Sequence, residues 1–231
     1  MHRTIRTLAI FALAALVFTT VAHTAAAKPR GKSKAARKTA PSKAARGKAS
    51  PKKAAPTKAA AVDPKALSKP IKRVIGFIRY NKDAKALSQF DGPAQSAFLL
   101  GGSEAKFTPA QKTAFITSFH KLFAAIAFPR VRGDFQKLET ILYDAPRISG
   151  NTATIGATIV ILHPAKKQEI KATFDLSKAA DGWKVVDVTI KGDKSMLTNI
   201  RNEQIRPLVK EGGAAGLLGL MSKRLAALSK S

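Results

Sequence analysis

The chain has 231 residues, enough for one domain with extensions or two small domains. It carries no cysteine, which excludes disulfides, a thiol nucleophile and any cysteine-ligated metal. Its formal charge of +27 is uneven: twelve Lys or Arg and no acid lie between Lys28 and Ala61, so a strongly basic arm precedes a moderately basic remainder.

Arg3 and Arg6, the apolar run from Leu8 to Ala22 and the small triplet Ala25-Ala26-Ala27 read as an export signal cleaved near Ala27. The run is shorter than the roughly 20 residues that span a bilayer. No twin arginine is present, which points to export in the unfolded state. Lys28, Arg30, Lys32 and Lys34 follow directly and oppose translocation.

From Lys28 to about residue 62 the composition is almost wholly Lys, Ala, Pro, Ser, Arg and Gly, with Thr39 and Thr57. Such a segment buries too little surface to offset the entropy of ordering, so a disordered basic linker is expected over 28–62. It suits a solvated spacer, an anionic membrane surface or cell wall, or, like linker-histone tails, a nucleic acid.

The folded region is expected over 63–231. Leu67, Ile71, Val74, Ile75 and Ile78 recur at helical spacing, with Ser68 placed as N-cap, Pro70 in the first turn and Asn81 as the end. Short helical pieces follow around 84–90 and 94–100. Thr108-Pro109-Ala110-Gln111 has the form of a capping box and opens a helix bearing Phe115, Phe119, Leu122, Phe123 and Ile126, which Pro129 is expected to stop.

Beyond Val131 the period changes to two. Four strands are expected, near 137–144, 152–163, 169–176 and 183–191, separated by Gly, Pro and Asn turns in an antiparallel meander. In the last of them Val186, Val188 and Ile190 form the apolar face, and Asp187, Thr189 and Lys191 the polar one. Helices over 194–210 and 214–228, parted by Gly212-Gly213, complete the chain. The fold class is α+β: N-terminal helices, a curved four-stranded antiparallel sheet, and C-terminal helices covering its apolar face.

The catalytic inventory is thin. His2 and His23 belong to the export signal, His120 to the capped helix, and His163 to a turn. No paired-histidine or carboxylate spacing implies a metal, and no nucleophile elbow, P-loop or dinucleotide fingerprint occurs, so neither an enzyme nor a cofactor is expected. Twelve Phe against two Tyr and one Trp favour a greasy interior over stacked bases or hydrogen-bonded sites.

Four segments, in order, resemble the MlaC (toluene-tolerance) family, periplasmic lipid-carrying components of a phospholipid transport system. They are Phe98-Leu99-Leu100-Gly101; Thr108-Pro109-Ala110-Gln111-Lys112 with Phe115 and Phe119; Trp183-Lys184-Val185-Val186-Asp187-Val188 with Gly192; and Gly212-Gly213 followed by Gly216-Leu217-Leu218. The likeness spans about 63–228. It departs at Gly102-Ser103-Glu104, where the family carries an aromatic residue, and at Lys194-Ser195-Met196 and Ile200-Arg201-Asn202.

The resemblance implies a soluble carrier with an apolar cavity for acyl chains, the headgroup remaining outside. It would take phospholipid between an inner-membrane ABC transporter complex and an outer-membrane lipoprotein complex. The residues expected at the cavity wall are Phe119, Phe123, Ile126, Ile159, Ile161, Ile170, Phe174, Val186, Val188, Leu197, Ile200 and Leu217. Two alternatives stay open: a DNA-binding protein with a basic tail, and a small-molecule enzyme on a scaffold like nuclear transport factor two, with His120 as its buried polar group.

Overall fold

A computed structural model describes residues 63–163 and 166–230. The expected export signal and basic linker lie outside the described residues.

Helix α1 (Pro64–Arg79) starts earlier than its apolar pattern suggests, because Asp63 caps it: the carboxylate accepts the Lys65 N–H at 2.9 Å, and Pro64 needs no acceptor. Ser68 is not the cap; it lies inside the helix, its hydroxyl donating to the Lys65 carbonyl. The helix ends at Asn81, whose φ of 57° places it in the left-handed region. The Asn81 and Lys82 N–H groups then donate to the Ile78 and Phe77 carbonyls, completing a Schellman closure.

Helices α2 (Asp83–Leu87) and α3 (Gly92–Leu100) follow, the latter capped by Asp91, and a 3₁₀ turn over Gly101–Lys106 leads to α4. The capping box is present in full. Thr108 Oγ1 accepts the Gln111 N–H at 3.2 Å, and Gln111 Oε1 accepts the Thr108 N–H at 2.9 Å.

Helix α4 (Pro109–Gln136) does not stop at Pro129. Proline there removes one helical hydrogen bond, but tertiary contacts hold the turns beyond it. Arg132 donates to both Asp83 oxygens, at 2.7 and 2.9 Å, and to the Ile78 carbonyl at 3.0 Å. Arg79 reaches the Gln136 carbonyl at 3.2 Å. With 28 residues, α4 is about 42 Å long at roughly 1.5 Å per residue.

The sheet is antiparallel, with strands β1 (Leu138–Tyr143), β2 (Arg147–Ser149), β3 (Thr152–His163), β4 (Lys166–Ala179) and β5 (Gly182–Ile190), in the order β1-β3-β4-β5. The fifth strand, β2, escapes the sequence pattern because it is only three residues long. It pairs with β3 beyond the point where β1 leaves off, so β1 and β2 act as one edge strand broken at 144–146. Inward pairs Ile155↔Phe174, Ala157↔Ala172 and Ile159↔Ile170 set the β3–β4 register.

Between β4 and β5 the register shifts: Phe174 faces Val188 and Asp175 faces Asp187, but Leu176 faces Val185. Val186 is therefore the extra residue of a β-bulge, which interrupts the period-two alternation. Val185 is buried on the sheet side with Val188 and Ile190, and Val186 packs with the helices instead. Asp187, expected at solvent, is 6% exposed.

The chain closes with α5 (Met196–Ile200), a π turn (Arg201–Ile205) and α6 (Arg206–Leu228). Pro207 cannot donate to the carbonyl four residues back. The turn before it widens, and the Arg206 N–H bonds to the Arg201 carbonyl five residues back. Gly213 (φ 61°, ψ −158°) breaks α6 where the glycine pair predicts it.

Candidate functional site

The apolar side chains gather in three clusters. One joins α3, α4, α5 and α6; a second joins α1 to the inner sheet face; a third joins α1, α2 and the end of α4. Where these meet they do not close. They leave a cavity of about 140 Å³ with contributions from all three. A single water needs only about 10–15 Å³, so this is not a packing defect of ordinary size.

Helix α1 supplies Val74, Ile75 and Ile78 to the wall, and Phe90 sits beside them. From α4 come Phe119, Leu122, Phe123, Ala127, Phe128, Val131 and Phe135, the last two reachable only because the helix passes Pro129. The floor is Ile159 of β3, Ile170, Ala172 and Phe174 of β4, and Val185, Val188 and Ile190 of β5. Met196, Asn199 and Ile200 of α5 complete it, and Asn199 is the one polar side chain among these residues.

Phenylalanine spacing gives the α4 wall its form. Residues four apart lie on one helical face, so Phe115, Phe119 and Phe123 stack in sequence, with centroids 6.3 and 5.9 Å apart and ring planes within 20°. Phe128 and Phe90 meet Phe123 edge-on at 5.5 and 6.1 Å. Edge-to-face and offset pairs at these distances are favourable, so the rings of the wall brace one another.

Seven of the twelve residues expected at the wall line the cavity: Phe119, Phe123, Ile159, Ile170, Phe174, Val188 and Ile200. The other five lie elsewhere. Ile126, Leu197 and Leu217 are packed in the α3–α6 cluster and Ile161 in the α1–sheet cluster, while the bulge carries Val186 to the helical side. The α1 residues were legible as a helical stripe, but periodicity alone does not say what a stripe faces. Val131 and Phe135 were hidden behind the expected stop at Pro129.

His120 lies outside this wall. Its Nε2 is 2.7 Å from Gln95 Oε1, while Gln95 Nε2 donates to the Val186 carbonyl at 2.7 Å. Since the Gln95 nitrogen faces a carbonyl, its oxygen accepts and His120 carries its proton on Nε2. Burial lowers the His120 pKa, which favours the neutral ring. The pair locks α3, α4 and β5 together and does not present an acid or base to the cavity. Among the described residues no group of three or more His, Asp or Glu could hold a metal ion, and no helix is long and apolar enough to cross a membrane.

Helices closed over one face of an antiparallel sheet, with a hydrocarbon-walled space between, define an α+β domain built around an apolar chamber. The MlaC protein family matches residues 78–223, and the chain belongs to that family. A phospholipid-binding protein from Ralstonia solanacearum, solved in complex with a phospholipid, shares the fold. The TM-score is 0.57 at 18% identity, over 71% of this chain and 97% of that one. A protein of unknown function from Mycobacterium tuberculosis is similar at a TM-score of 0.29 and 10% identity, over 71% of this chain and 88% of that one, too distant to carry an argument. No curated protein sequence matches the chain.

Proposed function

We propose that this chain is a periplasmic carrier that holds the acyl chains of a phospholipid in its cavity and moves the lipid between an inner-membrane ABC transporter complex and an outer-membrane lipoprotein complex. The observation that carries the reading is the wall itself: of its 21 residues, all but Asn199 are Val, Ile, Leu, Phe, Ala or Met. Each methylene removed from water is worth about 0.8 kcal/mol, so a lipid cannot cross an aqueous space unaided at a useful rate. A hydrocarbon-walled chamber replaces the bilayer interior, and the transfer needs no covalent step.

Family membership supports the reading, as does the phospholipid bound to the Ralstonia relative. The division into an export signal (1–27), a basic linker (28–62) and a lipid-binding domain (63–231) belongs to the same proposal. The linker would hold the domain near anionic lipid or cell wall. Exposed Lys65, Lys69, Lys72 and Arg73 on the outer face of α1 continue that charge on the helix whose inner face lines the cavity.

The test is an organic extract of the mature chain purified from the periplasm, analysed by mass spectrometry. Phospholipid at near-stoichiometric amount is expected. Repeated preparations without lipid, and failure of the delipidated chain to take it up from vesicles, would remove the carrier reading. A periplasmic product processed near Ala27 would also set aside the DNA-binding alternative.

A further inference from the structure

Helix α1 carries charge of one sign on one face. Lys65, Lys69, Lys72, Arg73 and Arg79 follow one another at helical intervals, opposite the stripe of Leu67, Ile71, Ile75 and Ile78, each no more than 3% exposed. No acid occurs from Pro64 to Lys82. None of the five basic residues forms an ion pair among the described residues. Lys72 Nζ lies instead 5.4 Å from the centroid of the Tyr143 ring, and Arg79 donates to the Gln136 carbonyl at 3.2 Å. The buried stripe fixes the helix, so these charges are presented as a set.

The face ends in an exposed aromatic residue. Tyr80 is 64% exposed, with the Arg79 guanidinium 5.6 Å from its ring centroid, and exposed Lys82 follows. A tyrosine among basic side chains suits the boundary between headgroups and hydrocarbon, its ring apolar and its hydroxyl wet. The outer face of the sheet differs. There exposed Lys167, Glu169 and Lys171 mix signs, and Lys167 is bound by Glu139 at 2.8 Å. Unneutralised positive charge is thus a property of the α1 face and not of the sheet.

We propose that the outer face of α1 docks the folded domain on an anionic phospholipid bilayer, with Tyr80 set among the headgroups. Charge complementarity commits the face to this occupant. Each Lys or Arg near an anionic membrane adds attraction that salt weakens, and the strongly basic stretch 28–61 precedes the same helix. The docking face rests on the carrier reading for its purpose. Val74, Ile75 and Ile78, on the other side of α1, wall the cavity, so docking brings the cavity within one helix diameter, roughly 10 Å, of the membrane surface.

The test uses the full mature chain and vesicles of phosphatidylcholine with and without about 30% phosphatidylglycerol. Binding to the anionic vesicles is expected, with loss at high salt. The variant Lys65→Gln, Lys69→Gln, Lys72→Gln, Arg73→Gln should bind them at least about tenfold more weakly. The control Lys121→Gln, Lys171→Gln, Lys194→Gln, Lys223→Gln removes as much exposed charge elsewhere and should stay within about twofold of the wild type. Circular dichroism confirms that both fold. Since the chain has no cysteine, a polarity-sensitive fluorophore is attached at Tyr80→Cys or, on the outer sheet face, at Leu142→Cys. Only the Tyr80 label should shift to the blue on the anionic vesicles. Equal losses in the two quadruple variants, or equal label responses, would overturn the α1 face. Absence of vesicle binding would do the same, even where a DNA duplex bound in its place. None of these outcomes touches the carrier reading, which stands or falls on the lipid recovered by extraction.

Discussion

Asp187 accepts the backbone N–H of Leu197, ten residues ahead, at 3.0 Å, and that of its neighbour Val188 at 2.8 Å, fastening β5 to the first turn of α5. Removing it by Asp187→Ala leaves the buried Leu197 N–H unpaired, which should cost about 1–3 kcal/mol in a denaturant titration. Burial raises the Asp187 pKa above its ordinary value, the backbone and Ser195 hydrogen bonds opposing the shift only in part. A carboxyl whose folded pKa exceeds its unfolded one stabilises when protonated. Its contribution is therefore full below about pH 3.8 and lost as pH rises through the folded value. Asp187→Asn should flatten that part of the stability–pH curve and melt at or above the wild type at pH 7.

His120 works in the opposite direction. Its folded pKa lies below 6.5 because burial disfavours the imidazolium. The stability linked to the neutral ring is full above about pH 6.5 and lost as pH falls through the folded value. His120→Gln should remove this acid-side loss, seen as a smaller drop in melting temperature between pH 7.5 and 5. An unchanged drop would assign the acid sensitivity to other groups.

Gly156 lies where the edge strand breaks. A Cβ there would press into the Asp144 side chain, 3.0 Å from its Cγ and 3.3 Å from its Cβ, while the Asp144 N–H donates to the Gly156 carbonyl at 2.9 Å. Gly156→Ala should destabilise by roughly 1–3 kcal/mol. Asp144→Gly in the same chain should recover most of the loss, because the two positions share one space. Additive losses in the double variant would count against the steric account.

Ala172 stands in the cavity floor, paired with Ala157 on one side and Ile190 on the other. Ala172→Phe should fill the chamber with a ring, abolishing co-purified lipid while the fold is kept. The lipid-free variant should melt no lower than the lipid-free wild type, since the ring replaces missing contacts. Retained lipid would place the ligand away from the β4 floor.

Much of this fold is legible in the sequence, and the illegible parts share one cause. The Thr108–Gln111 box, the Asn81 and Gly213 endings and the β3 and β4 alternation depend on neighbours a few residues away, so local pattern suffices. The β5 bulge depends on how Leu176 of another strand meets Val185, so period-two reading put Val186 on the wrong face. Continuation of α4 past Pro129 depends on Arg132 finding Asp83. The cavity is further removed still. Ile126 and Phe123 are equally apolar helical neighbours, yet only Phe123 faces the void. Hydrophobic spacing reports which side is turned from water, not whether that side is filled.

A chamber of about 140 Å³ walled almost wholly by hydrocarbon makes its occupant a borrowed piece of the domain's interior. At about 24 cal/mol for each Å³ of void, standing empty would cost the domain about 3 kcal/mol. If the chain carries lipid as proposed, unloading would leave it at its softest and refilling would restore it, so melting temperature alone should distinguish a laden chain from a spent one.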